Sequence, residues 1–305
     1  MHAVVLKYFL EVAKSGSIRR AAQGLFVAST AVNRQILHLE EELGVKLFDR
    51  LPNGIRLTPA GDRLLRHVKG TLHDYHLMRT ELNALKGEPQ GNVSVAALDS
   101  LLIELLPAAI EDFASEFPAV RYSVLGMISG EVPTRVENGE ADIGICYLNK
   151  CPAGLEVAYR GSFPNGVIMA PSHPLARKET VTFDDCRAYP FLRLAGPSPL
   201  QFMEIASAGS FWSELEPAVL CNSTAMVRRL VCNGIGISIF SKLSIVNELS
   251  RQELTWRPMN VKEVNDMEIS IVVPARRQLS NIATQFLGRL VRRFEQLEIL
   301  TRSVG

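Results

Sequence analysis

Residues 6–61 read LKYFLEVAKSGSIRRAAQGLFVASTAVNRQILHLEEELGVKLFDRLPNGIRLTPAG, and the spacing of their apolar side chains decides the fold of the N-terminus. Val5, Leu6, Phe9, Val12 and Ala13 recur at helical intervals, predicting a first amphipathic helix from about Val4 to Lys14. Ser15-Gly16-Ser17 ends it, and Ser17 can cap a second helix from Ile18 to about Leu25. A third helix is expected to begin near Ser29 or Thr30, either of which can cap it. It should run to about Leu43, where Gly44 supplies a C-terminal stop. Two short helices, a tight connection and a third helix make a helix-turn-helix.

That arrangement needs small residues where its helices touch, which Ala21 and Ala22 supply. It needs an inward apolar face, which Val32, Ile36, Leu37 and Leu39 supply. The opposite face of the third helix carries Ser29, Thr30, Asn33, Arg34 and Gln35. Asn and Gln pair bidentately with adenine, and Arg with guanine or phosphate, so this face suits a DNA groove. Val45-Lys46-Leu47-Phe48 and Ile55-Arg56-Leu57 predict two short strands around the turn Leu51-Pro52-Asn53-Gly54. This hairpin is a wing, with Arg50, Asn53 and Arg56 placed to meet phosphates. Ser17 and Arg19 at the start of the second helix complete the candidate DNA-binding set.

Four pieces in order, LKYFLEVAKSGSIRRAA, AVNRQI, LEEELGVKLFDR and GIRLTPAG, make residues 6–61 resemble the winged helix-turn-helix of LysR-type transcriptional regulators. The resemblance implies double-stranded promoter DNA as partner. It also implies a homodimer, tetramers built from two dimers, a small-molecule effector, and altered recruitment of RNA polymerase. Family members usually carry Gln or Pro near the start of the third helix and Ser before the Arg-Gln pair. Ser29, Thr30 and Asn33 stand here instead, so base preference does not carry over.

Thr58-Pro59 is a cap followed by proline at the first helical position. The helical pattern then runs without a breaker to about Lys86, ending at Gly87-Glu88-Pro89. Leu65, Val68, Leu72 and Tyr75, then Met78, Leu82 and Leu85, form a coiled-coil seam that reads as a dimer interface. His67, His73 and His76 on this helix read as solvated rather than as metal ligands.

From Gly91 a β-α-β-α-β order predicts an α/β region. Strands are expected at Asn92–Leu98, Val120–Leu125 and Ala141–Cys146, with helices at Leu101–Phe117 and Val132–Asn138 between them. The chain then crosses, around Tyr159–Pro164, to a second lobe. That lobe has strands at Gly166–Ala170, before Leu194, at Val219–Cys221 and at Gly236–Phe240, with a helix at Thr224–Asn233. Strand Met267–Val273 and helix Asn281–Leu297 return to the first lobe. The expected domains are therefore a winged helix-turn-helix over 1–58 and a linker helix over 59–88. Beyond them lie lobe 1 over 91–161 plus 267–305 and lobe 2 over 162–266. The expected class is α/β: two parallel-sheet lobes resembling periplasmic binding proteins behind an all-α-rich winged head.

In open parallel sheets ligands bind beyond the carboxyl ends of the strands. The candidate effector residues are accordingly Asp99, Ser100, Ser129, Tyr147, Pro199, Gln201, Asn222 and Ser223. Hydroxyls and amides at helix N-termini suit a small organic anion, whereas Asp99 argues against a simple dicarboxylate. LLPAAIEDFASEFPAV, VENGEADIGI, PSHPLA and LVCNGIGISIF extend the family resemblance, more loosely, over 91–297. By position, Ser100 and Ser129 match sites where relatives contact effectors.

Composition bounds the rest. Apolar residues make up 47% and charged residues 21% of 305, a globular balance, and no cofactor is expected. Residues 1–90 carry 13 Lys+Arg against 9 Asp+Glu, and the remainder 20 against 23, so positive charge gathers with the helix-turn-helix. No apolar run approaches the roughly 18 residues of a membrane span, and no secretory signal opens the chain, so a cytoplasmic protein without a membrane partner is expected. Enzyme signatures are missing: there is no GxSxG elbow, HExxH or Walker loop, and Gly234-Ile235-Gly236 lacks the third glycine of a dinucleotide fingerprint. Two alternatives remain. One is a solute-binding protein, which leaves the winged helix unexplained. The other is a thiol-based redox sensor of the same family, pairing Cys146 with Cys151 or Cys221 with Cys232. The apolar settings of Cys146, Cys221 and Cys232 speak against it.

Overall fold

The computed structural model describes residues 3–51, 54–84, 91–196 and 211–303. The chain divides into two compact units, Met1–Arg79 and Thr80–Gly305.

The first unit contains α1 (Ala3–Ser15), α2 (Ile18–Gly24), α3 (Ser29–Leu43), β1 (Phe48–Leu51), β2 (Gly54–Leu57) and the start of α4 (Pro59–Ala84). Phe9, Val12, Ala21, Val32, Ile36 and Leu39 form its core, and Phe9 meets Phe48 at 5.3 Å between ring centroids. Each large side chain so buried is worth about 1.5–3 kcal/mol. Gly44 takes the left-handed conformation (φ 67°) and closes α3, as the sequence predicts.

Its other end differs from expectation. Ala28, extended at φ −68°, is the N-cap and offers no side-chain bond, so Ser29 and Thr30 lie inside the first turn. The reversal before it is made by Phe26 at φ 56°, which delivers the chain one residue early. The first wing strand also starts late, at Phe48. Leu47 and Phe48 give their amides to Glu40 at 2.8 and 3.2 Å instead of to a strand partner. Gly61, in the first turn of α4, sits where an added Cβ would lie 2.1 Å from the Leu47 carbonyl oxygen. Only glycine allows that approach.

The seam on α4 is partly consumed by this unit's own core. Val68 is fully buried there, and Leu65 and Leu72 pack against it. Tyr75 and Met78 remain exposed. Leu85 and the expected stop at Gly87-Glu88-Pro89 lie outside the described residues, as do the side chains of His73, His76 and Leu82.

In the second unit β3 (Gly91–Leu98), β4 (Val120–Met127), β5 (Ile143–Tyr147), β6 (Leu155–Ser162) and β12 (Glu268–Pro274) form one sheet in the order β4-β3-β5-β12-β6. The first three strands are parallel, whereas β12 runs antiparallel to both its neighbours. A second sheet, β10-β7-β11, is antiparallel and joins Ser238–Ser241, Asn165–Met169 and Thr255–Pro258. The short strands β8 (Leu192–Leu194) and β9 (Val219–Cys221) pair in parallel beside it. The class is α/β, as expected, with mixed rather than purely parallel sheets.

Helices α5 (Leu105–Glu116), α6 (Val132–Glu137), α7 (Phe183–Arg187), α8 (Thr224–Cys232), α9 (Val246–Ser250), α10 (Lys262–Asn265) and α11 (Asn281–Ser303) belong to the same unit. The helix expected from Leu101 is broken. A 3-10 turn covers Asp99–Leu101, and α5 begins only at Leu105. Pro107 explains the break, since it has no N–H for the Ile103 carbonyl and its ring would crowd that group. Helix α11 packs on β3, β6 and α5, with Phe286 edge-on to Phe113 at 5.3 Å.

Candidate ligand cavity and nucleic-acid interface

In the second unit a cavity of about 290 Å³ opens beyond the ends of β3, β4, β5, β8 and β9. Asp99 and Ser100 follow β3, Ser129 follows β4, Tyr147 ends β5, and Asn222 follows β9; all five line it. Ser223 does not. Its hydroxyl accepts from Met226 N at 3.3 Å and caps α8, which is the ordinary employment of a serine at that position. Pro199 and Gln201 lie outside the described residues.

Ser129 is buried, and its Oγ accepts from Tyr147 N at 3.2 Å. Having accepted there, its own O–H is free to donate. The Tyr147 phenol is held by Asn165, whose Nδ2 donates to it at 3.0 Å. Burial pushes this phenol up against the hydrogen bonds of Asn165 and Ser241, keeping it neutral. Asn165 and Ser241 stand opposite each other across β7 and β10, and Ser241 Oγ meets Ser244 Oγ at 2.8 Å.

Asn165, Ser238, Ser241 and Ser244 line the cavity yet are absent from the sequence-based set, as are Arg193, Trp212 and Thr224. Ser238 does carry a readable signal, for it is a polar residue between Ile237 and Ile239, whereas Pro164-Asn165-Gly166 reads as a turn. Arg193 carries none, since an arginine in a short strand reads as solvent-facing.

The first unit presents the candidate DNA-binding residues. Arg19, Ser29, Thr30, Arg34, Arg50 and Arg56 are exposed, and Asn33 and Gln35 are half-buried. Ser17 caps α2 through a 3.4 Å bond from Arg20 N. Arg50 Nη2 donates to Asn33 Oδ1 at 3.1 Å, so the wing strand fixes the orientation of an α3 amide. Asn53 lies outside the described residues.

All five cysteines are free thiols. Burial pushes Cys146 up to about 12, with Cys151 adding to it, and burial likewise lifts Cys186 to about 12. Cys151 donates to the Leu155 carbonyl at 3.4 Å, and Cys221 to that of Ser223 at 3.6 Å. Burial also raises Cys232, and thiols raised like those of Cys146, Cys186 and Cys232 make poor thiolate sources, which disfavours redox sensing through them. No helix among the described residues is long and apolar enough to cross a membrane.

Comparison with known proteins matches both units. The family described as bacterial regulatory helix-turn-helix protein, lysR family, matches residues 5–62, and the LysR substrate binding domain matches 86–295. The transcriptional regulator AlsR of Bacillus subtilis is 27% identical over 267 residues, covering 85% of this chain and 86% of that protein. Among solved structures, a full-length OxyR variant from Pseudomonas aeruginosa aligns with a TM-score of 0.65 at 20% identity. It covers 97% of this chain and 95% of that one. Full-length CbnR, solved with its target DNA, aligns with a TM-score of 0.61 at 23% identity, covering 96% of this chain and 100% of that one. The family matches take in both the helix-turn-helix and the domain that holds the cavity, and the chain belongs to the LysR family of regulatory helix-turn-helix proteins.

Proposed function

We propose that this chain is a cytoplasmic regulator that binds promoter DNA through α3 and the wing and answers to a small molecule held in the cavity. The observation that carries the reading is the convergence of Asp99, Ser100, Ser129, Tyr147 and Asn222, from four strand ends, on one cavity. The exposed polar face of α3 and the net positive charge of residues 1–90 support the DNA half. Tyr75 and Met78, exposed on α4, support pairing with a second copy along that helix, two such dimers making a tetramer. Ligand binding shifts the population between arrangements of the effector domain and so alters how paired recognition helices meet DNA and recruit polymerase.

For the DNA half, Arg34→Ala is expected to weaken the cognate site by about 1–3 kcal/mol. Arg56→Ala is expected to weaken all sequences alike and to reduce the salt slope by about one. Arg50→Ala should do the same and also relax preference at the base read by Asn33, because it frees the Asn33 amide. Fluorescence anisotropy across a salt series measures all three. Wild-type affinity in Arg34→Ala would remove α3 from the interface.

For the cavity, a thermal-shift screen with organic acids, amino acids, aromatic compounds and sugars should give a stabilising hit. Ser100→Ala and Ser129→Ala should each lose that ligand-induced shift. A hit that both variants retain places the ligand elsewhere.

A further inference from the structure

We propose that the cavity selects a zwitterion. The carboxylate of the ligand meets Arg193, its ammonium meets Asp99, and a short apolar body lies between them. The inference rests on the reading of this cavity as the effector site and names the chemistry that site accepts.

The two sides of the cavity differ in polarity. On the side of β8 and β9 stands Arg193, half-buried, with Nη1 donating to the Trp212 carbonyl at 3.4 Å and no ion pair among the described residues. Trp212 and Thr224 line the same side. Both are more than nine-tenths buried, and Trp212 Nε1 and Thr224 Oγ1 have no hydrogen-bond partner among the described residues. A buried indole N–H or hydroxyl is costly unless something accepts from it. Thr224 also opens α8, where the first-turn amides favour negative charge. One cation beside the first turn of a helix describes a place for a carboxylate.

On the β3 side the charge is reversed. Asp99 lines the cavity, is exposed, and forms no ion pair among the described residues. Its Oδ1 lies beside Gly126, where an added Cβ would stand 3.0 Å away, so the glycine leaves the carboxylate room at the cavity edge. Arg193 and Asp99 are the charged side chains among the described lining residues. Ile128, Leu194, Ile239 and Phe240 add apolar surface to the same lining. At about 290 Å³ the space is that of an amino-acid-sized molecule, near the lower end of ligand pockets.

Other ligand classes meet this wall badly. A dicarboxylate brings its second anion to Asp99, and a diamine brings a cation to Arg193. A neutral sugar leaves the guanidinium partly desolvated without a counter-charge, which is costly.

The test is isothermal titration of the full chain with each standard α-amino acid. Every binder is then compared with its des-amino acid and its decarboxylated amine. An apolar amino acid is expected to bind. Arg193→Met and Asp99→Asn should each weaken it roughly tenfold to a hundredfold, the size of one charge-assisted hydrogen bond. Arg193→Lys should restore part of the loss, and neither half-molecule should match the parent. Equal binding by the des-amino acid, with Asp99→Asn silent, overturns the zwitterion. So does the failure of every amino acid. In either case a plain carboxylate, aromatic compound or sugar that Ser129→Ala weakens would leave the cavity reading standing. An amino acid that binds regardless of Ser129→Ala, Arg193→Met and Asp99→Asn sits elsewhere and defeats both.

Discussion

Replacing Arg228 with methionine is expected to lower the melting midpoint of the second unit by roughly 6–20 °C, a loss of about 3–5 kcal/mol. Arg228, on α8, is 3% exposed. Its Nε donates to Glu248 Oε1 at 2.6 Å and its Nη2 to Glu104 Oε1 at 2.7 Å, with a further contact from Nη2 to Glu248. Glu104 precedes α5 on the side of the five-stranded sheet, while Glu248 lies on α9 near the antiparallel sheet. One arginine therefore clasps carboxylates from both halves of the unit. Without it two half-buried carboxyl groups face each other with no cation, and they must protonate or draw apart.

Glu104→Gln separates the pair from the packing. Burial raises the Glu104 carboxyl, the negative charge of Glu248 raises it further, and Arg228 opposes both. A carboxyl raised by folding contributes stability below its unfolded pKa and loses it as pH rises through the folded value. Glu104→Gln keeps an acceptor for Nη2 and removes the repulsion. Its advantage over wild type should therefore be absent in acid and grow as pH rises above the ordinary carboxylate range. Calorimetric midpoints across pH check this. A difference that shrinks with rising pH would mean that Glu104 is stabilised as an anion.

The second large effect is expected at Glu40. Its carboxylate is 7% exposed and accepts from Leu47 N and Phe48 N, with Lys46 Nζ at 3.0 Å. Glu40→Ala orphans two buried amides at about 1–3 kcal/mol each, so the first unit should lose about 2–6 kcal/mol. Lys46 is exposed, and its share is small. Burial acts to raise the Glu40 carboxyl, but the bonds from Leu47, Lys46 and Phe48 outweigh it and hold it low. The sign is thus opposite to that of Glu104: stability is present above the unfolded carboxylate pKa and is lost as pH falls through the folded one. Wild type should soften in acid and converge on Glu40→Gln, which is weaker at neutral pH and lacks this acid step. Circular dichroism melts of both proteins decide it, and parallel acid profiles would remove Glu40 from the account.

These two residues also mark what the sequence leaves unread. The helix-turn-helix is legible because its signals are local: Gly44 closes α3, and Ala21 and Ala22 fit where α1 and α3 approach α2. Glu40 is not legible, because its partners arrive from a segment that reads as an ordinary strand. Strands β6 and β11 escape for a related reason, since each is fixed by pairing with β12 or β7 rather than by its own alternation. In the cavity, Asp99, Ser100, Ser129 and Tyr147 follow from the rule that ligands meet strand carboxyl ends. That rule fails on the antiparallel β10-β7-β11 sheet, where neighbouring strands present opposite ends. Asn165 opens β7, so the rule passes over it, whereas Ser241 closes β10 and fits the rule although the sequence reading did not select it. Ser223 illustrates the reverse error, for a helix start needs a cap before it needs a ligand.

The place of β12 bears on the order in which the protein comes into being. The first unit has every residue it needs once Arg79 has been synthesised. The five-stranded sheet does not, because β12, which stands between β5 and β6, is made more than a hundred residues after β5, and α11 follows later still. A nascent chain thus owns a finished helix-turn-helix long before it owns a finished sheet beneath the cavity. A message cut short before Glu268 would encode the first without the second, so the integrity of residues 268–305 decides whether the helix-turn-helix is made with or without a completed sensor.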